Sequence, residues 1–432
     1  MTDHHKLVRG LIALLIAASC GGGLAGCNYS KSYFRIGPDG KKIKAEGPIV
    51  PGEDIGAGST AGTGTGGTDG GGSTGDGTIT PPGGTDTGGT TTGGVTGIPV
   101  YPLAIHAEDK ANAAHNLYLA RFSQGAFLET PKKLTANDDS ADGTILFPSL
   151  SPDASKILYF ALKGSGDIFK GTFETEGGLH LLTDLQGTSA DSAWNASDPG
   201  ISASWTADGQ EAVYVAGGCG LLRKAKAGGS DAANEGTQPT GDYDKWVYFQ
   251  TAASPVRDAS HPAYDTILFS MMGAEGAAKE GFDLFLKKRG DADPSRYSRV
   301  TETLMTLEVY PSISPDGKYV VFASMDASDS SKAGDALQKI AVCDLVFSSG
   351  AGKCQNTRTF DAMPADSSNT SPCWAWDSSK IFFASKDAAS KKNDVFVVDF
   401  AGGAFGASAV NITNTADLDE MEVSCASAPA TQ

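Results

Sequence analysis

The chain has 432 residues, of which 40% are hydrophobic, and a formal net charge of −17 at pH 7. An acidic surface repels phosphate backbones and anionic lipids, so nucleic acid is not an expected partner. Beyond the N-terminus, no stretch reaches the roughly 18 apolar residues that a transmembrane helix needs, which predicts a protein that does not cross a membrane.

Residues 1–26 have the organisation of a signal peptide. Lys6 and Arg9 precede a short apolar run over 11–18, and small residues follow that run. The sequence Leu24-Ala25-Gly26-Cys27 resembles the lipobox of bacterial lipoproteins. The resemblance implies cleavage before Cys27 and attachment of a diacylglyceryl group to its sulfur.

Two alternatives to this anchor are open. Cys20 is a second candidate for the lipidated cysteine, and the segment could be an ordinary secretory signal with incidental cysteines. Asn28 follows Cys27, and by analogy with known sorting signals this favours the outer membrane. We therefore expect an outer-membrane lipoprotein that faces the periplasm or the cell surface and contacts the membrane only through its lipid anchor.

Residues 27–97 form a predicted linker. Gly, Thr, Ser and Asp dominate 48–97, and such a composition cannot bury enough apolar surface to fold. Residues 28–47 contain a Gly-Pro-Asp-Gly turn at 37–40 and form either a small hairpin or a disordered segment. A flexible coil of this kind has a root-mean-square span of roughly 40 Å and would act as a tether.

A short pattern repeats through residues 98–432 at intervals of 50 to 61 residues. Its clearest copies are Ser151-Pro152-Asp153 before an apolar run at 157–160, and Ser314-Pro315-Asp316-Gly317-Lys318 before another at 320–322. Degenerate copies begin near 206, 261, 375 and 425. A period of this length, with turn residues before short runs of β-forming residues, is typical of a β-propeller.

Each repeat contains four predicted strands and no helical periodicity, which indicates an all-β domain. The last repeat supplies only a first strand near 418–427, and the missing strands lie at 102–106, 116–121 and 132–135. The sequence therefore predicts a six-bladed β-propeller of four-stranded blades, in which N- and C-terminal strands share one blade and close the ring.

The repeated box has a conformational rationale. Proline fixes φ at the start of a turn, aspartate accepts hydrogen bonds from backbone N–H groups, and glycine tolerates positive φ. We therefore expect the box to form the hairpin between the first two strands of a blade. Asp153 and Asp316 are predicted to be structural and not catalytic.

The box at 314–324, the Asp-x-Phe third strand and the Leu-Thr fourth strand together resemble the repeats of TolB-like β-propellers. The resemblance covers about residues 100–432 and implies a periplasmic six-bladed propeller, a module that binds an envelope lipoprotein in TolB itself. The chain departs from TolB in carrying its own lipobox and tether and in lacking an obvious N-terminal α/β domain.

Five cysteines follow Cys27, and at least one of them cannot pair within the chain. Cys343 and Cys354 flank a hairpin-turn sequence and could form a disulfide across it. Cys373 and Cys425 occupy nearly equivalent places in consecutive repeats and could join neighbouring strands. No CxxC spacing occurs, so no metal site is expected.

Neither catalysis nor a cofactor is expected. The only Gly-x-Ser-x-Gly match, at 71–75, lies in the linker. The four histidines beyond residue 100 are dispersed, at positions 106, 115, 180 and 261. The acidic segment 137–143 resembles a calcium loop in composition but has Ser149 where a glutamate ligand is needed, so an ordinary loop is preferred.

The period is broken by insertions at about 186–199 and 229–245, which contain or adjoin Trp194, Tyr243 and Trp246. Aromatic residues on loops can anchor a partner, although they could equally pack under their own loops. We expect a monomeric, non-enzymatic scaffold that binds another envelope protein. The alternative is a carbohydrate-binding or polysaccharide-lyase-like propeller.

Overall fold

The structure is a computed structural model. It describes residues 33–36, 42–45, 98–111, 114–135, 144–162, 177–183, 185, 190–195, 200–216, 221–226, 233–234, 247–272, 282–291, 296–303, 306–326, 337–386 and 392–429. These residues form β-strands and turns, and none of them lies in an α-helix. The sequence prediction of an all-β protein is confirmed for this part of the chain.

The smaller of two compact units spans Asn28–Gly97, and its described part is a hairpin. Strands β1 (Tyr33–Ile36) and β2 (Lys42–Ala45) pair antiparallel, with Arg35 opposite Ile43. The hairpin lies on either side of the Gly-Pro-Asp-Gly sequence at 37–40. Of the two outcomes that the sequence left open for 28–47, the structure has the hairpin.

The larger unit includes Ile98–Gln432 and begins with four strands. They are β3 (Tyr101–Asp109), β4 (Ala114–Ser123), β5 (Ala126–Phe127) and β6 (Lys132–Lys133). Strand β4 pairs with β3 on one side and with the short strands β5 and β6 on the other.

Antiparallel sheets of four strands follow along the chain. Sheet 1 contains β7 (Thr144–Leu150), β8 (Ile157–Leu162), β9 (Gly177–Thr183) and β10 (Ala190–Asn195). Sheet 2 contains β11 (Gly200–Trp205), β12 (Glu211–Ala216), β13 (Leu221–Lys226) and β14 (Ala233–Asn234). Sheet 3 contains β15 (Val247–Ala253), β16 (Thr266–Met272), β17 (Phe282–Lys288) and β18 (Ser298–Arg299).

Sheet 4 contains β19 (Thr306–Ile313), β20 (Tyr319–Asp326), β21 (Lys339–Ser348) and β22 (Ala351–Thr359). Sheet 5 contains β23 (Ser368–Trp374), β24 (Lys380–Lys386), β25 (Asn393–Ala401) and β26 (Ala404–Asn411). Sheets 3 and 4 are joined by one parallel pair, Phe282 with Leu307.

The final strand, β27 (Leu418–Cys425), pairs antiparallel with β3, with Val423 opposite Ile105. Sheet 6 therefore combines β27 with β3–β6 and contains strands from both ends of the unit. We call β7, β11, β15, β19, β23 and β27 the first strands. Each first strand contacts the next along the chain, and β27 contacts β7.

The core lies between neighbouring sheets, because the second strand of each sheet is apolar on both faces. Val321 and Phe322 are adjacent in β20, and both are almost fully buried. Phe322 packs in a cluster with residues of sheet 3, whereas Val321 packs with residues of sheet 5. Alternate side chains of one strand thus fill two different interfaces.

The repeated box forms the hairpin turn between the first and second strands, as the sequence predicts. In sheet 4, Ser314 Oγ donates to Asp316 Oδ1 at 2.6 Å, and the Lys318 N–H donates to the same oxygen at 3.2 Å. Gly317 has φ of +72°. The equivalent Asp153 in sheet 1 accepts from Ser151 Oγ and from the Ser155 N–H. These turns define one face of the larger unit, which we call the turn face.

Two disulfides connect strands. Cys343 in β21 bonds to Cys354 in β22, across a hairpin, with the Cα atoms 5.3 Å apart. Cys373 in β23 bonds to Cys425 in β27, with the Cα atoms 5.7 Å apart. The first bond lies within one sheet, whereas the second joins the first strands of sheets 5 and 6. The structure thus brings together both pairs that the sequence suggested.

We expect the Cys373–Cys425 bond to stabilise the fold more than the Cys343–Cys354 bond. A cross-link restricts the unfolded chain more when it spans more residues, and the two spans are 52 and 11 residues. The chain-entropy relation gives contributions of about 4 and about 3 kcal/mol. Thermal unfolding of the Cys373→Ala/Cys425→Ala and Cys343→Ala/Cys354→Ala variants measures the order, and equal or reversed losses would contradict it.

The turn of sheet 4 also packs against the turn of sheet 3. A Cβ atom on Gly317 would overlap the imidazole of His261. Gly350 also has positive φ, +84°, but a Cβ atom there would meet nothing within 4 Å. Gly350 is therefore required only for its backbone conformation, whereas Gly317 is required both for its conformation and for the close contact with His261.

We predict that Gly350→Ala destabilises the protein by about 1 kcal/mol, the conformational cost alone. Gly317→Ala should cost a further ~1–3 kcal/mol through the overlap with His261. The double variant His261→Ala/Gly317→Ala should recover part of that extra loss. Denaturant midpoints of the four proteins test the prediction, and it fails if the two glycine substitutions have equal effects.

Candidate functional site

The first strands surround a cavity of about 160 Å³, which we call the central cavity. Each first strand contributes side chains to its lining. One level of the lining contains the residue three positions before the end of each first strand, namely Phe147, Ser202, Gln250, Tyr310, Ser371 and Glu422. The cavity is therefore built from equivalent positions of the repeat.

The first strands are irregular at this level. Each has a β-bulge near the residue that faces the cavity. Phe147, Ser202, Tyr310 and Ser371 have φ between +50° and +57°. A non-glycine residue in this conformation costs roughly 1–3 kcal/mol and persists only where its surroundings hold it, so the same strain recurs around the cavity.

Side chains from neighbouring sheets hold these bulges. Glu422 Oε2 accepts a hydrogen bond from the Phe147 N–H at 2.7 Å. Gln250 Oε1 accepts from the Tyr310 N–H in the same way. In each case a long polar side chain of one first strand binds the backbone of the next first strand. The two pairs lie three sheets apart along the chain.

Tyr310 carries a half-buried side chain in the cavity lining. Burial raises the pKa of its hydroxyl, and the negative charge of Glu422 raises it further, whereas the nearby Gln250 side chain lowers it. Strand β23 lies between β19 and β27 in the order of first-strand contacts. Glu422 therefore acts on a residue of a non-neighbouring first strand, and the Tyr310 phenol is protonated at neutral pH.

Glu422 is also hydrogen-bonded to a pair of histidines. His106 is fully buried, and its Nδ1 lies 3.0 Å from Glu422 Oε2. His106 Nε2 lies 2.9 Å from Nδ1 of His115. Adjacent strands β27, β3 and β4 supply the three residues. A carboxylate and two imidazoles in sequence can orient one another and can pass a proton.

Two polar atoms beside the cavity lack hydrogen-bond partners. Gln250 is 1% exposed and Thr251 is 5% exposed, and both line the cavity. Gln250 Nε2 and Thr251 Oγ1 are buried without a partner in hydrogen-bonding geometry. A buried polar group without a partner costs ~1–3 kcal/mol, so these atoms favour a bound polar group.

A second repeated feature is a buried glutamate five residues before the end of a first strand. Glu308 in β19 is 2% exposed and accepts hydrogen bonds from Thr301 and Thr303. Burial raises its pKa to about 8, and the charge of Asp283 raises it as well. Glu420 in β27 is 1% exposed, and burial raises its pKa to about 7.

Of the three aromatic residues predicted to bind a partner, only Trp194 lies within the described residues. The sequence predicted a loop at Trp194, and this was wrong, because the backbone of Trp194 lies in β10. That strand pairs with β9 and has a bulge between Ala193 and Asn195. The insertion was misjudged because it supplies the fourth strand of sheet 1. Tyr243, Trp246 and Cys27 lie outside the described residues, as does the acidic segment 137–143.

The sequence analysis did not predict that Gln250, Tyr310 and Glu422 line one central cavity. Part of the signal was present in the repeat itself, because Phe147-Pro148-Ser149 and Tyr310-Pro311-Ser312 stand at the same distance before the box. Counting back the same four residues gives Ser202 and Ser371 for the copies at 206 and 375, but the degenerate copies at 261 and 425 do not lead to Gln250 and Glu422. The sequence predicts dispersed histidines, whereas the pairing of β3 with β4 places His106 and His115 side by side.

The described ranges contain neither of two further features, a metal-binding cluster and a membrane-spanning helix. No group of three or more His, Cys, Asp or Glu side chains there is arranged to hold a metal ion. No helix in that part of the chain is long and apolar enough to span a membrane.

No protein-family model matches the sequence, and no curated protein matches it. Several solved structures have a similar fold. A chain of the nidogen/laminin complex is 7% identical with a TM-score of 0.50, and the match covers 76% of this chain and 99% of that one. This match, together with four-stranded sheets around a central cavity, shows a propeller-type fold and nothing about activity.

Two enzymes are more distant in structure. A prolyl endopeptidase is 12% identical with a TM-score of 0.39, covering 73% of this chain and 42% of the enzyme. The oligogalacturonate lyase of Vibrio parahaemolyticus is 13% identical with a TM-score of 0.38, covering 70% of each chain. At these scores neither likeness bears on what this protein does.

We predict that stability falls between pH 7 and pH 8 because Glu308 keeps its proton in the folded state and loses it on unfolding. A raised carboxyl pKa makes the unfolded state bind fewer protons, so the free energy of unfolding decreases as the pH rises. The slope from one such group approaches about 1.4 kcal/mol per pH unit. Glu308→Gln should remove this part of the slope.

Glu302→Gln is the matched control. Glu302 is exposed, and its hydrogen bond with Lys353 lowers its pKa, so the variant should retain the wild-type slope in this window. Urea denaturation at pH 7.0, 7.5 and 8.0 measures how the stability of wild type and of the two variants changes with pH. An identical slope in wild type and Glu308→Gln would show that Glu308 does not titrate there.

Proposed function

We propose that this chain is a lipid-anchored protein of the cell envelope whose TolB-like, six-bladed propeller binds another envelope protein. Cys27 carries the lipid, residues 27–97 form the tether, and residues 98–432 form the propeller. The protein is a monomeric, non-enzymatic scaffold at the outer membrane, facing the periplasm or the cell surface. Sheets 1 to 6 correspond to the six blades.

The strand pairings support the six-bladed ring. Each first strand contacts the next, β27 contacts β7, and β27 also pairs with β3. A ring that is completed by strands from both ends of the unit leaves no open edge between its first and last blades. The Cys373–Cys425 disulfide reinforces the completed blade by joining it to sheet 5.

The observation that carries the binding function is the rigidity of the turn face. Its turns are closed by internal hydrogen bonds and are also tied to one another. The Asp316 N–H donates to Ser378 Oγ at 3.2 Å, and the Ala428 N–H donates to the Pro152 carbonyl at 3.0 Å. A surface that is already ordered loses little conformational entropy when a partner binds.

The turn face also carries apolar groups that a partner could cover. Tyr264 lies in the turn of sheet 3 and is 36% exposed, and Val346 lies near the end of β21 and is 39% exposed. Tyr243 and Trp246 lie between β14 and β15 in the sequence, outside the described residues, and Trp194 lies in β10. These aromatic residues can be tested separately from the turn face.

Crosslinking in intact envelopes followed by affinity purification tests the proposal. We expect Val346→Glu to reduce recovery of the partner at least tenfold, because a carboxylate would then be buried at the interface. Val410→Glu is the matched control, since Val410 is 51% exposed on the outer strand β26. The Cys27→Ala variant separates the contribution of the anchor from that of the propeller.

The triple variant Trp194→Ala/Tyr243→Ala/Trp246→Ala tests the three aromatic residues that the sequence predicts as partner-binding anchors in the same experiment. Loss of the partner in this variant alone would move the binding surface to these residues. If wild type recovers no specific partner, or if neither variant changes the recovery, the protein-binding proposal is wrong. Thermal unfolding of each variant distinguishes a lost surface from a lost fold.

A carbohydrate-binding propeller is the second candidate, and a groove on the turn face favours it. Arg358 lies over the rings of Tyr319 and Phe400, and its Nε has no hydrogen-bond partner. Lys318 and Asn356 line the same groove. Aromatic, cationic and amide groups together suit an acidic sugar. Binding of an acidic oligosaccharide that Arg358→Gln abolishes would favour this function.

A further inference from the structure

The charge distribution in the central cavity is one-sided. Among the described residues that line the cavity, Glu422 is the only acidic residue, and there is no lysine, arginine or histidine. The protein as a whole is strongly acidic. A cavity with a single fixed carboxylate, in a protein of net negative charge, attracts a cation and repels an anion.

The Glu422 carboxylate is oriented so that one oxygen is available. Both of its described hydrogen bonds, from His106 and from the Phe147 N–H, end on Oε2. No described residue donates to Oε1, and 9% of the Glu422 side chain is exposed. Because two donors fix the other oxygen, Oε1 can accept a hydrogen bond without rearrangement of the side chain.

The opposite part of the cavity offers donors. Gln250 and Thr251 belong to the cavity lining, and their Nε2 and Oγ1 atoms are buried without a hydrogen-bond partner. Gln250 cannot simply rotate its amide, because its Oε1 is held by the Tyr310 N–H. A ligand that satisfies both sides of the cavity must therefore present a cationic donor and, near it, an oxygen acceptor.

We propose that the central cavity binds a primary ammonium group of a polypeptide, with Glu422 Oε1 accepting from the ammonium and Gln250 Nε2 or Thr251 Oγ1 donating to an amide carbonyl. The Tyr310 hydroxyl supplies a further polar contact between the two. His106 is a positioning residue that fixes the carboxylate. This inference rests on the proposed protein-binding function and names the chemical group that the partner would insert.

The same features exclude other ligands. An anion would meet Glu422, and an apolar group would leave the donors of Gln250 and Thr251 unsatisfied. A bare metal ion needs several anionic or carbonyl ligands, whereas the cavity has one carboxylate. A primary ammonium has three donors and one charge, and a peptide places a carbonyl beside it.

Calorimetric titration of the purified full-length chain with small peptides tests the proposal. The probes are glycylglycine amide, its N-acetylated form, which has no ammonium, and Nα-acetyl-lysine amide, whose ammonium lies on the side chain. We expect at least one ammonium probe to bind and the acetylated dipeptide not to bind. The comparison of the first and third probes identifies an amino terminus or a lysine side chain as the source.

Glu422→Gln should weaken binding at least tenfold, because it removes the charge and keeps the shape. Glu420→Gln is the matched control, since this glutamate lies on the same strand and does not line the cavity. Tyr310→Phe gives a second test that keeps the ring and its bulge. Thermal unfolding confirms that each variant is folded before its affinity is compared.

Three results would overturn the proposal. They are no binding of any ammonium probe up to about 10 mM, equal binding of the acetylated dipeptide, and wild-type affinity in Glu422→Gln. The probes are small molecules, so this result does not depend on finding a protein partner. Probe binding without a crosslinked partner would refute the scaffold function alone, and a partner without probe binding would refute the ammonium site alone.

Discussion

The architecture depends on one constraint, that the middle strands of each sheet are apolar on both faces. Val321 and Phe322 point to opposite sides of sheet 4, and each fills a different interface. A sheet of this kind cannot keep either face in water and needs a neighbour on both sides. The ends of the unit obey the same rule, because β3 and β27 share one sheet and so leave neither terminal segment with an uncovered face.

Because the sheets pack side by side, their first strands lie next to one another around the central cavity. Each first strand contains a bulge where it borders this cavity. The positive φ of Phe147 and Tyr310 is tolerated because Glu422 and Gln250 bind their backbone N–H groups. The cavity is therefore lined by the side chains that compensate for its strain, and structural and binding roles fall on the same residues.

Much of this fold is predictable from the sequence, because turns and strand patterns are local. The Ser-Pro-Asp box specifies a hairpin through φ restriction and hydrogen bonds within a few residues, and its spacing reveals the repeat. Strand content and the contribution of both ends of the domain to one sheet follow from the same count. Trp194 was misplaced because β10 is specified by pairing with β9, and its own residues carry no strong β pattern.

The cavity was less predictable for a physical reason. Gln250, Tyr310 and Glu422 are separated by 60 and 112 residues, and only the arrangement of the sheets brings them to one level. No short motif records that proximity. His106 and His115 are nine residues apart, yet their contact depends on the register between β3 and β4. Raised carboxyl pKa values, such as that of Glu308, likewise arise from burial that composition does not reveal.

The sharing of sheet 6 between the two ends of the unit has a mechanical consequence. Any pull transmitted through the chain that precedes Ile98 enters the larger unit at β3. That strand lies between β27 and β4 and is paired along its length with both. A pull along β3 therefore loads two rows of hydrogen bonds in shear, and the Cys373–Cys425 bond passes part of the load from β27 to sheet 5. The strand through which the chain enters at Ile98 is thus also the strand at which the fold resists extension most directly.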